Sequence, residues 1–61
     1  MNKERLSRIH QAKSILDSCL EEEQEYKENL PESLANASTG ERADTAISAL
    51  ESAIDSLEEI E

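Results

Sequence analysis

The sequence predicts an all-α fold, an antiparallel helical hairpin of which two copies form a four-helix bundle. Two long segments carry apolar residues every three or four positions, the spacing of an amphipathic helix. A link with a proline, a glycine and small polar residues separates them. We expect one domain, residues 1–61, with helix 1 at about 3–30, the link at 31–38 and helix 2 at about 39–60.

Helix 1 is predicted from a broad apolar stripe. Asn2 is a suitable N-cap, and Pro31 places the end of the helix at Asn29 or Leu30, since the residue before a proline disfavours helical geometry. Glu23 interrupts the stripe, and we expect it to pair with Lys27 and to fix the register or the oligomeric state. The alternative is that Glu23 contacts a partner. The stripe consists of Leu6, Ile9, Ala12, Ile15, Leu16, Cys19, Leu20, Tyr26 and Leu30.

The link is longer than a hairpin requires. Pro31 is expected to begin a short helical piece, after which Leu34 folds back over Tyr26 and Leu30 as a hydrophobic plug at the end of the bundle. The alternative is a displayed binding loop.

Helix 2 contains a tandem seven-residue repeat, "AISALES" followed by "AIDSLEE", at residues 46–59. Ser38 and Glu41 have the spacing of a capping box, which places the start of the helix near Thr39 or Gly40. The repeat predicts a coiled-coil seam formed by Ile47, Leu50, Ile54 and Leu57.

A single hairpin would leave much of each apolar stripe in water, so a second layer is expected. We predict a homodimer in which two hairpins pack face to face. The alternative is that a different protein supplies the second layer. The predicted dimer core consists of Ile9, Leu16, Leu20, Ile47, Leu50, Ile54 and Leu57.

The net charge of −9 is unevenly distributed, since residues 1–13 hold four of the six basic residues. We expect these bases to lie beside the acidic end of helix 2 in the hairpin, rather than to contact nucleic acid directly. The bases are Lys3, Arg5, Arg8 and Lys13, and the acids are Glu51, Asp55, Glu58 and Glu59.

The composition argues against an enzyme. One histidine, one cysteine and one glycine are too few for a catalytic triad with an oxyanion hole, a phosphate-binding loop or a zinc site, so no catalytic residue, cofactor or metal ligand is predicted. His10 is expected to be a surface residue. Cys19 without a partner cysteine is typical of the cytoplasm, and no apolar run reaches the length of a membrane span, so no membrane contact is expected.

An acidic ridge on the outer side of helix 1 is the main candidate for partner binding. It consists of Asp17, Glu21, Glu25 and Glu28, and helix 2 adds Asp44, Glu51, Asp55 and Glu58 on its own outer side. The ridge either maintains solubility or imitates the phosphates of DNA toward a basic groove. The residues predicted to bind a partner are Asp17, Glu21, Glu25, Glu28, Tyr26 and Leu34.

The order "EEEQEYKENLPESL", a small polar link, "GER" and "AI..LE.AI..LEE" resembles short acidic helical-hairpin proteins of phages and prophages over about residues 20–60. The link "ANAST" departs from that pattern, which has more charged or amide residues there. Several phage proteins of this size inhibit bacterial defence, including small dimeric proteins that block Hachiman-type systems and acidic DNA mimics that block restriction.

The resemblance implies a non-enzymatic module that binds and inhibits a bacterial defence protein in the host cytoplasm. The alternatives are an accessory protein for the assembly of a phage particle or larger complex, an acidic DNA mimic, and a regulator that lacks its own DNA-binding element.

Overall fold

The computed structural model describes residues 1–60, which form three helices, α1 (Lys3–Glu28), α2 (Glu32–Ala35) and α3 (Ser38–Glu58). The two long helices pack against each other in antiparallel orientation, and α2 packs against α3. The molecule is an elongated rod of 49 × 15 × 10 Å. The predicted all-α hairpin is therefore confirmed.

The start of α1 follows the prediction. Asn2 is the N-cap, and its Oδ1 accepts a hydrogen bond of 2.8 Å from the backbone N–H of Arg5. This bond satisfies one of the donors that the first turn of a helix leaves without a backbone partner. At the other end, Asn29 caps α1 just before Leu30 and Pro31, as the proline predicts.

The start of α3 differs from the prediction. The helix begins at Ser38, and Ala37, with extended backbone, occupies the N-cap position without a side-chain cap. The capping box is therefore not formed, because Ser38 already lies inside the first turn, where its side chain cannot act as the N-cap. The backbone N–H of Ala37 donates instead to the carbonyl of Leu34, at 3.1 Å, so the end of α2 directs the chain into α3.

The length of the link is explained by the packing of α2 on α3. Gly40 is buried, and a Cβ added to it would lie 1.9 Å from the carbonyl oxygen of Ala35. The first turn of α3 therefore approaches the α2 backbone more closely than any side chain permits. The predicted short helical piece after Pro31 is confirmed as α2.

Leu34 and Tyr26 of the predicted plug stay exposed, whereas Leu30 is half-buried. Leu34 is 44% exposed and Tyr26 is 49% exposed, so Leu34 does not cover the tyrosine. The turn end of the hairpin is held by backbone packing at Gly40 instead. The exposure of Leu34 fits the alternative of a displayed link.

A seam of half-buried and buried residues joins α1 to α3. Its α1 side also includes the polar Lys13 and Glu23, which the expected stripe left out or treated as an interruption. All seven residues predicted for the dimer core lie in this seam, within one chain. On α1 the seam comprises Leu6, Ile9, Lys13, Leu16, Leu20 and Glu23, and on α3 it comprises Gly40, Ala43, Ile47, Leu50, Ile54 and Leu57.

The buried stripe of α1 is narrower than expected. Ala12, Ile15, Cys19 and Tyr26 are exposed, although their apolar character placed them in the predicted stripe. A helix that packs against one neighbour buries only a narrow strip at seven-residue spacing, so residues beside that strip stay in water.

Candidate interaction surfaces

Two ion pairs join α1 to α3 along one edge of the seam. Lys13 Nζ lies 3.4 Å from Glu58 Oε1 and also 3.7 Å from Asp17 Oδ2, one turn further along α1. Lys27 pairs with Asp44 near the turn end of the hairpin. The predicted Glu23–Lys27 pair is therefore wrong, because the Lys27 ammonium reaches across the seam to α3.

Seven acids of the two long helices lie on the side marked by these ion pairs. In an antiparallel pair, each edge of the seam is flanked by exposed residues of both helices. The ion pairs of Lys13 and Lys27 lie on the same edge, so the acids beside that edge on α1 and on α3 share one surface. We call this surface the acidic face. It comprises the exposed residues Asp17, Glu21, Glu28, Asp44, Glu51, Asp55 and Glu58.

The six residues predicted to bind a partner do not share one surface. Asp17, Glu21 and Glu28 belong to the acidic face. Glu25 lies further around α1, and Tyr26 lies about 180° from Asp17 about the helix axis. Leu34 lies in α2, beyond the end of α1.

A second surface, on the other side of the seam, carries exposed apolar residues. We call it the outer row. Ile15 at its centre is 64% exposed, and Ala46, Ala49 and Ala53 of α3 flank the seam on the same side. On α1 the outer row consists of two lines at seven-residue spacing, Arg5–Ala12–Cys19–Tyr26 and Arg8–Ile15–Glu22.

The outer row is a separate surface that sequence reasoning missed. The sequence does contain the pattern that predicts it: Ala12, Cys19 and Tyr26 repeat every seven residues, beside the seven-residue repeat of the seam. Cys19 in this row is exposed and forms no disulfide.

The first three turns of α1 extend past the end of α3. Lys13 is level with Glu58, where α3 ends, so residues 3–12 lie at or beyond the end of α3, and only its last turn, around Leu57, comes near them. We call this segment the overhang. A shallow, mainly apolar groove on it is lined by Met1, Arg5, Arg8, Ile9 and Ala12.

The expected match between the basic start of α1 and the acidic end of α3 is confirmed only for Lys13. Lys3, Arg5 and Arg8 form no ion pair with any residue in 1–60. The reason is that the two long helices are offset along the rod. The first turn of α3 packs against α2, and α3 therefore ends level with Lys13, before it comes alongside Lys3, Arg5 and Arg8.

Residues 1–60 contain no group of three or more histidine, cysteine or carboxylate side chains placed to hold a metal ion. His10 is exposed and lines a shallow groove with Lys13 and Leu57. None of the three helices has an apolar stretch that could cross a membrane.

No family model matches the chain, and comparisons with curated proteins and with solved structures give no significant match. The resemblance to phage hairpin proteins therefore stays a prediction based on sequence motifs.

Proposed function

We propose that the chain is a non-enzymatic protein-binding module, which dimerises into a four-helix bundle and presents its acidic face to a basic partner protein. The observation that carries this proposal is the small core. Within residues 1–60, the buried apolar side chains are those of Ala43 and Ile54, at 1% and 7% exposure. A hairpin with so little buried apolar surface needs another protein layer.

The exposed area supports the same conclusion. The chain exposes 4734 Å², whereas a compact monomer of this length exposes about 4000 Å². The excess of roughly 700 Å² is close to the ~800 Å² that each partner buries in a standard protein interface. Seam residues such as Leu16, Leu20 and Leu50 are only half-buried, and a second hairpin completes their burial.

The acidic face supports a basic partner. The net charge is −9, and acids from two helices are gathered on one side of the rod. Such a surface attracts a basic protein surface from a distance and repels nucleic acid. The same gathering of acids also favours the second candidate, an acidic DNA mimic that occupies the groove of a DNA-binding protein.

The biological setting of this proposal rests on the sequence resemblance alone. In that setting the partner is a bacterial defence protein, and binding inhibits it. The alternative setting is the assembly of a phage particle, where the hairpin is an accessory component and inhibits nothing.

The test is affinity capture from bacterial lysate with tagged protein, at low and high salt, followed by mass spectrometry. The wild type is expected to retain a stoichiometric partner that high salt releases, because salt screens exposed charges. The triple variant Asp17→Asn, Glu21→Gln, Glu28→Gln is expected to lose it.

The matched control is Glu4→Gln, Glu32→Gln, Glu59→Gln, which removes three charges away from the acidic face and is expected to retain the partner. Equal loss in both variants would show that net charge, rather than the acidic face, attracts the partner. Failure of the wild type to retain any partner would contradict a binding module, and co-fractionation with assembled particles would then favour the accessory role.

A further inference from the structure

We infer that two copies associate through the outer row of α1 in antiparallel orientation, with the Ile15 side chains meeting at a two-fold axis and Arg8 of each copy opposite Glu22 of the other. This inference rests on the proposed dimer and adds its contact residues and orientation. It narrows the proposed four-helix packing to a central α1–α1 contact, because with the axis at Ile15 the two α3 helices overlap only near Glu58.

The charges of the outer row support the antiparallel orientation. Arg8 and Glu22 are exposed and lie seven residues before and after Ile15 on the same line, about 10 Å from it in each direction. A two-fold axis at Ile15 and perpendicular to the helix therefore brings Arg8 of one copy level with Glu22 of its partner, twice. A parallel pairing of the two α1 helices would instead oppose arginine to arginine and glutamate to glutamate.

The overhang supports the same arrangement. With the axis at Ile15, residues 3–12 of one copy run along residues 18–27 of the other. Arg5 and Arg8 of the overhang, which form no ion pair within residues 1–60 of their own chain, then lie level with Glu25 and Glu22 of the other copy.

The apolar parts of the outer row are also self-complementary. Tyr26 of one copy comes level with the groove lined by Met1, Arg5 and Arg8 of the other. An arginine beside a tyrosine ring adds a favourable cation–π contact to the apolar burial. Ala12 and Cys19, on either side of the axis, are small enough to let the two helices approach closely.

The test is sedimentation equilibrium over a concentration series at low salt, with four proteins: the wild type, Arg8→Glu, Glu22→Arg, and the double variant. Each single substitution places like charges opposite each other at two symmetry-related contacts. We expect each to raise the dimer dissociation constant about tenfold, and the double variant to return to within about threefold of the wild type.

The control pair applies the same charge changes on the opposite side of α1. Lys3→Glu and Glu21→Arg, alone and together, are expected to leave the dissociation constant within about threefold of the wild type. Dimerisation that neither Arg8→Glu nor Glu22→Arg weakens, or that the double variant does not restore, would overturn the antiparallel arrangement while the proposed dimer stands. A wild type that stays monomeric throughout would overturn both.

Cross-linking tests the position of the axis independently. The chain with Cys19→Ser and Ile15→Cys is expected to form a disulfide dimer under mild oxidation. The wild type is not expected to do so, because the two Cys19 residues are eight positions apart across the axis, about 12 Å. Efficient cross-linking of wild-type Cys19 would overturn an axis at Ile15. So would a variant that sediments as a dimer but forms no disulfide through its introduced thiol.

Discussion

Lys13 of α1 lies level with Glu58 of α3, with its ammonium nitrogen 3.4 Å from the carboxylate oxygen. This one pair marks the register of the hairpin, because it shows where α3 ends relative to α1. It separates a paired segment of α1, after Lys13, from the overhang before it. The same lysine is half-buried in the seam, so its methylene chain packs among apolar residues while its ammonium group lies at the edge of the seam.

Replacing Lys13 with leucine is expected to stabilise the chain. The position lies seven residues from both Leu6 and Leu20 in the seam, so an aliphatic side chain buries there, while the partly exposed ion pair that is lost contributes little. We expect a gain of about 1 kcal/mol in the free energy of unfolding, measured by urea denaturation with circular dichroism. Gln11→Leu, at an exposed position of α1, is the control and should give no gain; a lower urea midpoint for Lys13→Leu would contradict the prediction.

Gly40→Ala is expected to destabilise the chain, although alanine is the better helix former by about 1 kcal/mol. The added Cβ meets the carbonyl oxygen of Ala35 at 1.9 Å, and backbone atoms cannot move aside as a side chain can. We expect a loss of about 1–3 kcal/mol and a lower Tm. Ser48→Ala, at an exposed position inside α3, is expected to leave Tm unchanged or slightly raised. A Tm for Gly40→Ala equal to that of the wild type would show that α2 does not pack as described.

Much of the fold could be predicted from local sequence. The seam of α3 follows from its seven-residue repeat, the start of α1 from Asn2, and α2 from Pro31. Each of these depends on contacts between residues close in the chain, for which spacing is sufficient evidence.

The register of the hairpin could not be predicted, because it depends on contacts between distant residues. The close approach of Gly40 to Ala35 sets where α3 begins, and that in turn determines that Lys13, rather than a base of the overhang, meets the end of α3. Hydropathy alone also fails to divide the apolar residues of α1 between the seam and the outer row. It places Ile15 and Leu16 in one stripe, although they lie on different surfaces.

Asn2→Ala is expected to loosen the overhang without lowering global stability. The substitution removes the hydrogen bond to the Arg5 N–H, which costs about 1 kcal/mol locally, but the first turn of α1 lies beyond the end of α3, so the loss stays local. Hydrogen exchange followed by mass spectrometry, at concentrations where the chain is monomeric, should show faster exchange over residues 5–9 and an unchanged urea midpoint. Ser38→Ala is the control, since that side chain caps nothing, and it should change neither quantity.

Ile54→Ala and Leu34→Ala are expected to differ strongly in cost, although both remove large aliphatic side chains. Ile54 is one of the two buried apolar residues among 1–60, so its truncation leaves a cavity in the seam and should cost about 2–4 kcal/mol. Leu34 projects from α2 into solvent, so its truncation should cost less than about 1 kcal/mol. Urea denaturation of the two variants at equal concentration measures the difference. A comparable cost for Leu34→Ala would mean that the link closes the end of the hairpin in solution, and it would restore the plug that the exposure of Tyr26 and Leu34 argues against.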